Sequence, residues 1–343
     1  MKALMLEEYN RFVYRDVPDP VMGSDDVLIQ VKAVGICGSD VHGMDGSTGR
    51  RIPPMIMGHE AAGVIVGTGE GVSDWHTGDR VTFDSTIYCG TCYFCRRGEI
   101  NLCNNRRVLG VSCEDYRQNG AFAEYVAVPQ HILYRLPDDL KFEQAAMVEA
   151  LSIAFHAAAR TPIQLDDSVV VVGVGMIGLL VIQSLRLAGC GTIIAADLDR
   201  ARLDLALELG ADVGLKSDET DVVAQVLACT EGRGADTAFE VVGMSSTLEL
   251  ATRSVRKGGA LTLIGNLSPK TDFLLQSVVT RELTLRGSCA SRGEYPACLN
   301  MIARGAIDVG ALISAVVPLA EGASWFDRLY QREPGLMKVV LVP

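Results

Sequence analysis

Residues 168–187 read SVVVVGVGMIGLLVIQSLRL, and this stretch decides the fold of the part of the chain around it. A run of valines leads through the pattern G-x-G-x-x-G into an apolar segment with helical spacing, which predicts a strand, a tight turn and a helix. The glycines serve the turn, the close approach of a pyrophosphate, and the packing of helix on strand, and the phosphates face the helix N-terminus. The cofactor residues predicted in this turn are Gly173, Gly175, Met176, Ile177 and Gly178.

Asp197 ends the next apolar run, TIIAAD, about 20 residues after the glycines, where an acidic side chain accepts hydrogen bonds from the adenine ribose hydroxyls. Because a 2′-phosphate would meet this carboxylate, the sequence favours NAD over NADP. A second interpretation makes Asp197 a loop carboxylate or the cap of the following helix. Arg200 and Arg202 lie close by, and we assign Arg202 to the cofactor site as well.

The pattern on either side of this stretch divides the chain. After residue 165, β-branched runs alternate with helix-period segments, as a parallel sheet covered on both faces requires. Before residue 150, short runs such as 27–35 and 63–69 indicate strands and turns. In the helix after the glycines, we expect one face to pack on the sheet and the other to carry Gln183 and Arg186. The residues expected on the packed face are Ile177, Leu180, Val181, Leu185 and Ala188.

Composition limits the class of protein. The chain has 343 residues, enough for two domains, because a single core rarely grows past about 250 residues. A formal net charge of −11 makes nucleic acid and an acidic membrane unfavourable partners, so we expect a small-molecule ligand. No apolar run is long enough for a membrane helix. The start, MKALMLEEYN, does not resemble a signal peptide, and ten cysteines then indicate a reducing, cytoplasmic setting.

Four cysteines with the spacing C-x2-C-x2-C-x7-C predict a structural zinc site in a lobe at about residues 86–106. An iron–sulfur cluster is the alternative, but the bacterial ferredoxin pattern has a three-residue final gap followed by proline. A closed thiolate site stabilises a lobe and does no chemistry, so the reaction must occur elsewhere. The predicted ligands are Cys89, Cys92, Cys95 and Cys103.

A second metal site is predicted from residues that lie apart in the sequence. Cys37 in GICGSDVHG and His59 in MGHEAAG offer a thiolate and an imidazole, which are two of the three protein ligands that a catalytic zinc uses. We expect a carboxylate as the third ligand. Glu60 and Glu149 are both candidates, and the sequence does not decide between them.

These motifs together resemble those of zinc-dependent medium-chain alcohol dehydrogenases, over essentially the whole chain, and most closely the polyol branch that includes sorbitol and galactitol phosphate dehydrogenases. The GVGMIG turn, the four-cysteine lobe and the Gly-Asp-Arg-Val string at 78–81 occur in the family's order. So do the strings Cys37-Gly-Ser-Asp-x-His42 and Gly58-His59-Glu60-x2-Gly63-x5-Gly69-x2-Val72.

The resemblance implies roles for individual residues. Glu149 is a catalytic zinc ligand or holds the metal's water, whereas Glu60 can enter or leave the metal shell. Ser39 corresponds to the hydroxyl that contacts the substrate alcohol, and His42 passes its proton towards solvent. Asp40 fits as support for a ligand.

The resemblance also implies an α/β architecture: a GroES-like β-rich catalytic domain (1–153 with 290–343) and a Rossmann domain with a doubly wound parallel sheet (154–289). It implies two zinc ions per chain, NAD, a homo-oligomer (dimer or tetramer), and oxidation of a secondary alcohol such as a polyol or its phosphate. A threonine 3-dehydrogenase-like enzyme is the alternative activity. A zinc-binding and dinucleotide-binding protein without catalysis, and a zinc hydrolase, are alternatives of other classes.

The chain departs from the family's polyol branch at two places. Residues 287–291 read GSCAS, so the arginine and tyrosine of the sorbitol pocket are missing. Ala150 replaces the usual proline after Glu149, which should loosen the strand that we expect there. Arg292 is a candidate for a substrate phosphate, although a single exposed arginine is more often only solvated.

Overall fold

The computed structural model describes all 343 residues, and the chain folds into two compact units. One unit consists of Met1–Glu149 with Arg292–Pro343, and the other is the continuous segment Ala150–Ser291. The first unit is therefore discontinuous in sequence. No helix in the chain has the length and apolar composition needed to cross a membrane.

The strands are β1 (Lys2–Glu8), β2 (Arg11–Asp16), β3 (Asp26–Gly35), β4 (Met55–Ile56), β5 (Glu60–Thr68), β6 (Arg80–Phe83), β7 (Thr86–Ile87), β8 (Arg107–Val108), β9 (Val111–Ser112), β10 (Arg117–Gln118), β11 (Tyr125–Pro129), β12 (Leu133–Arg135), β13 (Ser168–Val172), β14 (Thr192–Asp197), β15 (Val213–Lys216), β16 (Ala235–Glu240), β17 (Val255–Leu263), β18 (Thr284–Gly287), β19 (Ile313–Pro318) and β20 (Lys338–Val342).

The α-helices are α1 (Gly38–Gly43), α2 (Tyr93–Arg96), α3 (Phe142–Ala145), α4 (Val148–Arg160), α5 (Met176–Leu187), α6 (Arg200–Glu208), α7 (Val222–Cys229), α8 (Ser245–Ser254), α9 (Leu275–Thr280), α10 (Tyr295–Ala303) and α11 (Gly322–Tyr330). Short 3-10 turns occupy Ile100–Leu102, Gln130–Ile132, Gly310–Leu312 and Leu319–Glu321.

The discontinuous unit is built around a sheet with the strand order β12-β6-β5-β3-β20-β19, and β11 also pairs with β3. Strand β3 alternates buried and half-buried residues, as expected for a strand with one face in the core. Val27, Ile29 and Val31 supply that buried face. Strand β20 comes from the second stretch of the unit and pairs with the carboxyl end of β3, so the two stretches share one sheet.

The continuous unit holds a six-stranded parallel sheet with the order β15-β14-β13-β16-β17-β18. This order places the first βα turn at the point where the winding direction reverses, as in a doubly wound dinucleotide-binding sheet. The β-branched runs of the sequence form its strands, and Val169–Val172 of β13 is buried throughout. The predicted Rossmann architecture is confirmed.

The expected faces of helix α5 were partly wrong. The helix forms where the spacing predicts it, and Leu185 is buried. Gln183 is buried as well, whereas Ala188, the residue that ends the helix, is exposed. All residues from Gly178 to Leu185 are buried, so a pattern that assumes one solvated face does not describe this helix.

Candidate active site

Three side chains of the discontinuous unit bring zinc-type donor atoms together. Cys37 lies between the end of β3 and helix α1, His59 precedes β5, and Glu60 is the first residue of that strand. One ligand atom from each residue lies within 4.8 Å of the other two. A thiolate, an imidazole and a carboxylate converging in this way form a donor set that suits zinc.

The environment of Glu60 supports a cation at this point. Its Oε2 accepts a hydrogen bond from the Nζ of Lys338 at 2.5 Å, and the same Nζ donates to the carbonyl of Ile36 at 3.0 Å. The second carboxylate oxygen, Oε1, is buried and has no protein partner. A buried carboxylate oxygen without a partner is costly, and a metal held with Cys37 and His59 would supply one. The donor set therefore fits zinc.

Lys338 is a site residue that the sequence did not reveal. Its side chain is 1% exposed, although it carries a charge, and it reaches Glu60 across 278 positions of sequence. No local spacing could have identified it. The only available signal was a lysine next to the valines of β20, an unusual residue for a strand in the middle of a sheet.

Glu149 lies in the first turn of helix α4, so the expected strand at this residue was wrong. Ala150 continues the same helix. The carboxylate of Glu149 lies outside the three-donor group, but its Oε1 is 3.4 Å from the Oγ of Ser85. Burial and the nearby Glu60 raise the pKa of Glu149 to about 7, whereas His59 opposes that rise. The two glutamates are therefore electrostatic neighbours in one site.

Asp40 supports both of the non-carboxylate donors. Its Oδ1 lies 3.4 Å from the Nδ1 of His59, and its Oδ2 accepts a weak hydrogen bond from the backbone N–H of Cys37 at 3.4 Å. Burial lowers the pKa of His59, but Asp40 and Cys37 outweigh that effect and raise the pKa well above its usual value.

Ser39 and His42 both lie on the short helix α1, directly after Cys37. Both side chains are exposed. The Oγ of Ser39 accepts a hydrogen bond from the Nη2 of Arg51 at 3.3 Å. A hydroxyl and an imidazole that follow a metal-type thiolate on one helical turn provide groups that can accept and release a proton.

The four cysteines of the predicted lobe meet as a second cluster. Their sulfur atoms lie within 4.8 Å of one another and none forms a disulfide. Hydrogen bonds from Thr91 lower the pKa of Cys89 to about 5, whereas burial and the neighbouring thiols raise that of Cys95 to about 12. A zinc ion would stabilise all four thiols as thiolates.

The glycine turn has the geometry that a pyrophosphate needs. Gly173 has φ +91°, a left-handed conformation that favours glycine. Gly178 packs against the carbonyl of Gly173 and leaves no room for a side chain there. If Gly175 carried a Cβ, the nearest atom to it would be the Nη1 of Arg202, at 3.9 Å. The backbone at the N-terminus of α5 is therefore accessible.

Asp197 is held firmly at the end of β14. Its Oδ2 accepts the N–H of Val174 within the glycine turn at 2.8 Å, and its Oδ1 accepts the N–H of Leu198 at 2.8 Å. The cap of helix α6 is a different residue, Asp199, whose carboxylate accepts the N–H groups of Ala201 and Arg202. The interpretation of Asp197 as the helix cap is therefore wrong.

Comparison with known proteins agrees with the assignment of both the metal-binding part and the dinucleotide-binding part of the chain. The model of the alcohol dehydrogenase GroES-like domain matches residues 23–138, and the model of the zinc-binding dehydrogenases matches residues 176–304. The chain is similar to a sorbitol dehydrogenase of Bacillus subtilis, with 33% identity over 100% of this chain and 97% of that protein. The chain belongs to the zinc-dependent alcohol dehydrogenase family.

Other members of this zinc-dependent alcohol dehydrogenase family show comparable similarity. A D-arabitol-phosphate dehydrogenase of Enterococcus avium is 33% identical over 94% of this chain and 92% of its own length. A crystal structure of a zinc-binding dehydrogenase from Sinorhizobium meliloti 1021 bound to NADP has a TM-score of 0.90 and 32% identity, and the match covers 100% of this chain and 99% of that chain. The family resemblance found in the sequence is confirmed.

Proposed function

We propose that this protein oxidises a secondary alcohol group of a polyol or polyol phosphate, reversibly, with zinc and NAD. The observation that carries the proposal is the convergence of Cys37, His59 and Glu60 within 4.8 Å, with a buried carboxylate oxygen of Glu60 left without a protein partner. The proposed ligands of the catalytic zinc are Cys37 and His59 with Glu60 or Glu149.

The residues around this group would handle the proton and the geometry. When bound, zinc supplies Lewis-acid polarisation of the substrate oxygen and NAD supplies the hydride acceptor. Ser39 would accept the proton of the substrate hydroxyl as its own proton passes to solvent, and the exposed His42 would take up a proton and release it to solvent. Asp40 fixes the ring of His59, whose Nδ1 lies 3.4 Å from it.

We infer NAD as the cofactor, bound at Gly173, Gly175, Met176, Ile177 and Gly178. Asp197 and Asp199 place two carboxylates at the end of β14, where a 2′-phosphate would meet negative charge. Arg202 lies 3.7 Å from Asp199 in an exposed ion pair, so part of its charge is already compensated. The pairing of Arg202 with a carboxylate supports NAD over NADP.

We also propose a structural zinc at Cys89, Cys92, Cys95 and Cys103, in a lobe at about 86–106.

The domain boundaries predicted from the sequence, at 153–154 and 289–290, stay a prediction. The structure divides into compact units after Glu149 and after Ser291. A homo-oligomer is supported by the free outer edge of β18 and by the exposed Leu275 and Val279 of α9. The absence of any disulfide among the ten cysteines supports a cytoplasmic location.

The test is a substrate panel combined with metal analysis. Sugar alcohols, their phosphates and L-threonine are offered with NAD, and NADH absorbance is followed. We expect oxidation of a polyol or polyol phosphate and close to two zinc ions per chain. Preference for threonine would show that the substrate is an amino alcohol and not a polyol. A single zinc per chain and no NADH formation would support a non-catalytic binding protein.

A further inference from the structure

We propose that Arg51 is a positioning residue. It hydrogen-bonds both the carboxylate that supports the zinc ligands and the proton-accepting hydroxyl of Ser39, so that the two groups form one hydrogen-bonded unit. The inference rests on the proposed function, and it assigns a role to a residue outside every motif discussed above. Arg51 is only 4% exposed, although its guanidinium is always charged.

All three nitrogens of the Arg51 guanidinium have protein partners. Its Nε and Nη2 donate to the Oδ1 of Asp40 at 3.1 and 2.8 Å. The same Nη2 lies 3.3 Å from the Oγ of Ser39, and Nη1 donates to the carbonyl of Arg50 at 3.0 Å. The planar fork of arginine can make these contacts together, which a lysine cannot do. The side chain therefore has one fixed orientation.

Through Asp40, this arginine acts on the two metal-type donors. The Oδ1 that Arg51 binds is the atom 3.4 Å from the Nδ1 of His59, and the other oxygen receives the N–H of Cys37. Holding the carboxylate in one rotamer therefore keeps a negative charge beside the ring of His59 and an acceptor beside the N–H of Cys37. Partners that orient a metal ligand in this way typically change metal affinity by about 10- to 100-fold when removed.

Through Ser39, Arg51 acts on the proposed proton path. A guanidinium can only donate, so the Ser39 oxygen must be the acceptor in this contact. That occupies one of its two lone pairs. The remaining lone pair can take the proton of the substrate hydroxyl while the Ser39 proton passes to solvent, so the contact orients the exposed hydroxyl for relay without blocking it.

The fold reserves space for this side chain. A Cβ on Gly43, the last residue of α1, would collide with the side chain of Arg51, so the helix ends on the residue that leaves room for it. The backbone on either side is anchored to β9, since Ile52 N–H donates to the carbonyl of Ser112 and Ser112 N–H to that of Arg50. A buried ion pair often contributes little to stability compared with apolar packing, so a role in positioning accounts better for its presence.

The test compares Arg51→Met and Arg51→Lys with Arg50→Met, a matched control because Arg50 is exposed and its side chain lies outside the network. We expect Arg51→Met to lower kcat about 10- to 100-fold, with the KM for NAD unchanged within about twofold. Millimolar guanidinium chloride, far below denaturing concentrations, should restore much of the kcat of Arg51→Met and leave Arg50→Met unaffected.

Metal analysis provides a readout independent of activity. Each protein is dialysed against increasing concentrations of chelator, and the loss of the catalytic zinc is measured. The catalytic zinc is identified as the ion that the Cys37→Ala protein lacks. We expect Arg51→Met to lose it at a chelator concentration lower by about tenfold or more, and Arg51→Lys, which keeps a cation beside Asp40, to show the kcat defect with a smaller change in zinc retention.

A folded Arg51→Met protein with wild-type kcat and zinc retention would overturn the inference, and so would a kcat loss that guanidinium does not rescue and that leaves zinc retention unchanged. Where Arg51→Met fails to fold, wild-type kcat in Arg51→Lys overturns it. If the wild-type protein holds two zinc ions and oxidises a polyol, but the Arg51 variants keep its kcat and zinc retention, this inference alone is wrong. A wild-type protein with one zinc ion sinks the proposed function first.

Discussion

Lys338 and Glu60 form a buried ion pair, with 2.5 Å between Nζ and Oε2, inside the group of metal-type donors. One carboxylate oxygen thus faces a fixed cation and the other has no protein partner. The lysine can neutralise the carboxylate when no metal is present. Such a pair would let Glu60 approach or leave a bound zinc without ever being an isolated buried charge.

Replacing Lys338 by Met should destabilise the metal-free protein by about 3–5 kcal/mol, because Glu60 is then a buried carboxylate without a partner. Zinc should offset much of this loss, so the rise in Tm on adding zinc should be larger in the variant than in the wild type. Calorimetry with and without chelator measures both values. The double variant Lys338→Met with Glu60→Gln is the control and should recover most of the metal-free stability. Equal zinc-dependent shifts in all three proteins would contradict the coupling.

Replacing Cys37 by Ala should abolish NAD-linked alcohol oxidation and remove one zinc per chain while the protein stays folded, because an open catalytic site does not hold the fold together. His59→Ala should behave in the same way. Activity, metal content and circular dichroism check the prediction. Cys229→Ala, at an exposed cysteine, is the matched control and should keep wild-type activity. A fully active Cys37→Ala protein would falsify the ligand assignment.

Replacing Cys103 by Ser should remove the other zinc and lower Tm by on the order of 5 °C or more, the shift that ~2 kcal/mol produces in a domain of this size. The reason is that a structural thiolate site contributes folding energy directly. Thermal melting and gel filtration measure stability and oligomeric state. Unchanged melting and assembly after loss of that zinc would show that the lobe is not structural.

Replacing Asp197 by Ala should reduce the preference for NAD over NADP by about 10- to 100-fold in kcat/KM, since a hydrogen bond to a charged group contributes about 1.5–3 kcal/mol. Arg200 and Arg202 then face a 2′-phosphate without the opposing carboxylate. Steady-state kinetics with both cofactors check this result, with Asp204→Ala on the exposed side of α6 as the control. Equal use of NAD and NADP by the wild type would rule out the role of Asp197.

The predictable features are those encoded over short distances. The glycine turn with its strand and helix, and the four-cysteine spacing, are local patterns with a direct physical meaning, and both appear where expected. The partner of Glu60 and the partner of Asp40 were not predictable. Lys338 meets its carboxylate through sheet pairing between β20 and β3, and Arg51 reaches Asp40 across a loop. A spacing rule carries no information about either contact.

The separation of 278 positions between Glu60 and Lys338 also orders events on the ribosome. When residues 1–149 have emerged, every proposed zinc ligand has been synthesised, but the strand that pairs with the carboxyl end of β3 has not. The cysteine lobe draws its ligands from within fifteen consecutive positions and can capture its metal while translation continues. Because β20 pairs with the end of β3 next to Cys37 and carries Lys338, we expect the catalytic group to reach its final geometry only after β20 is released, so nascent chains should carry one metal ion and finished chains acquire the second.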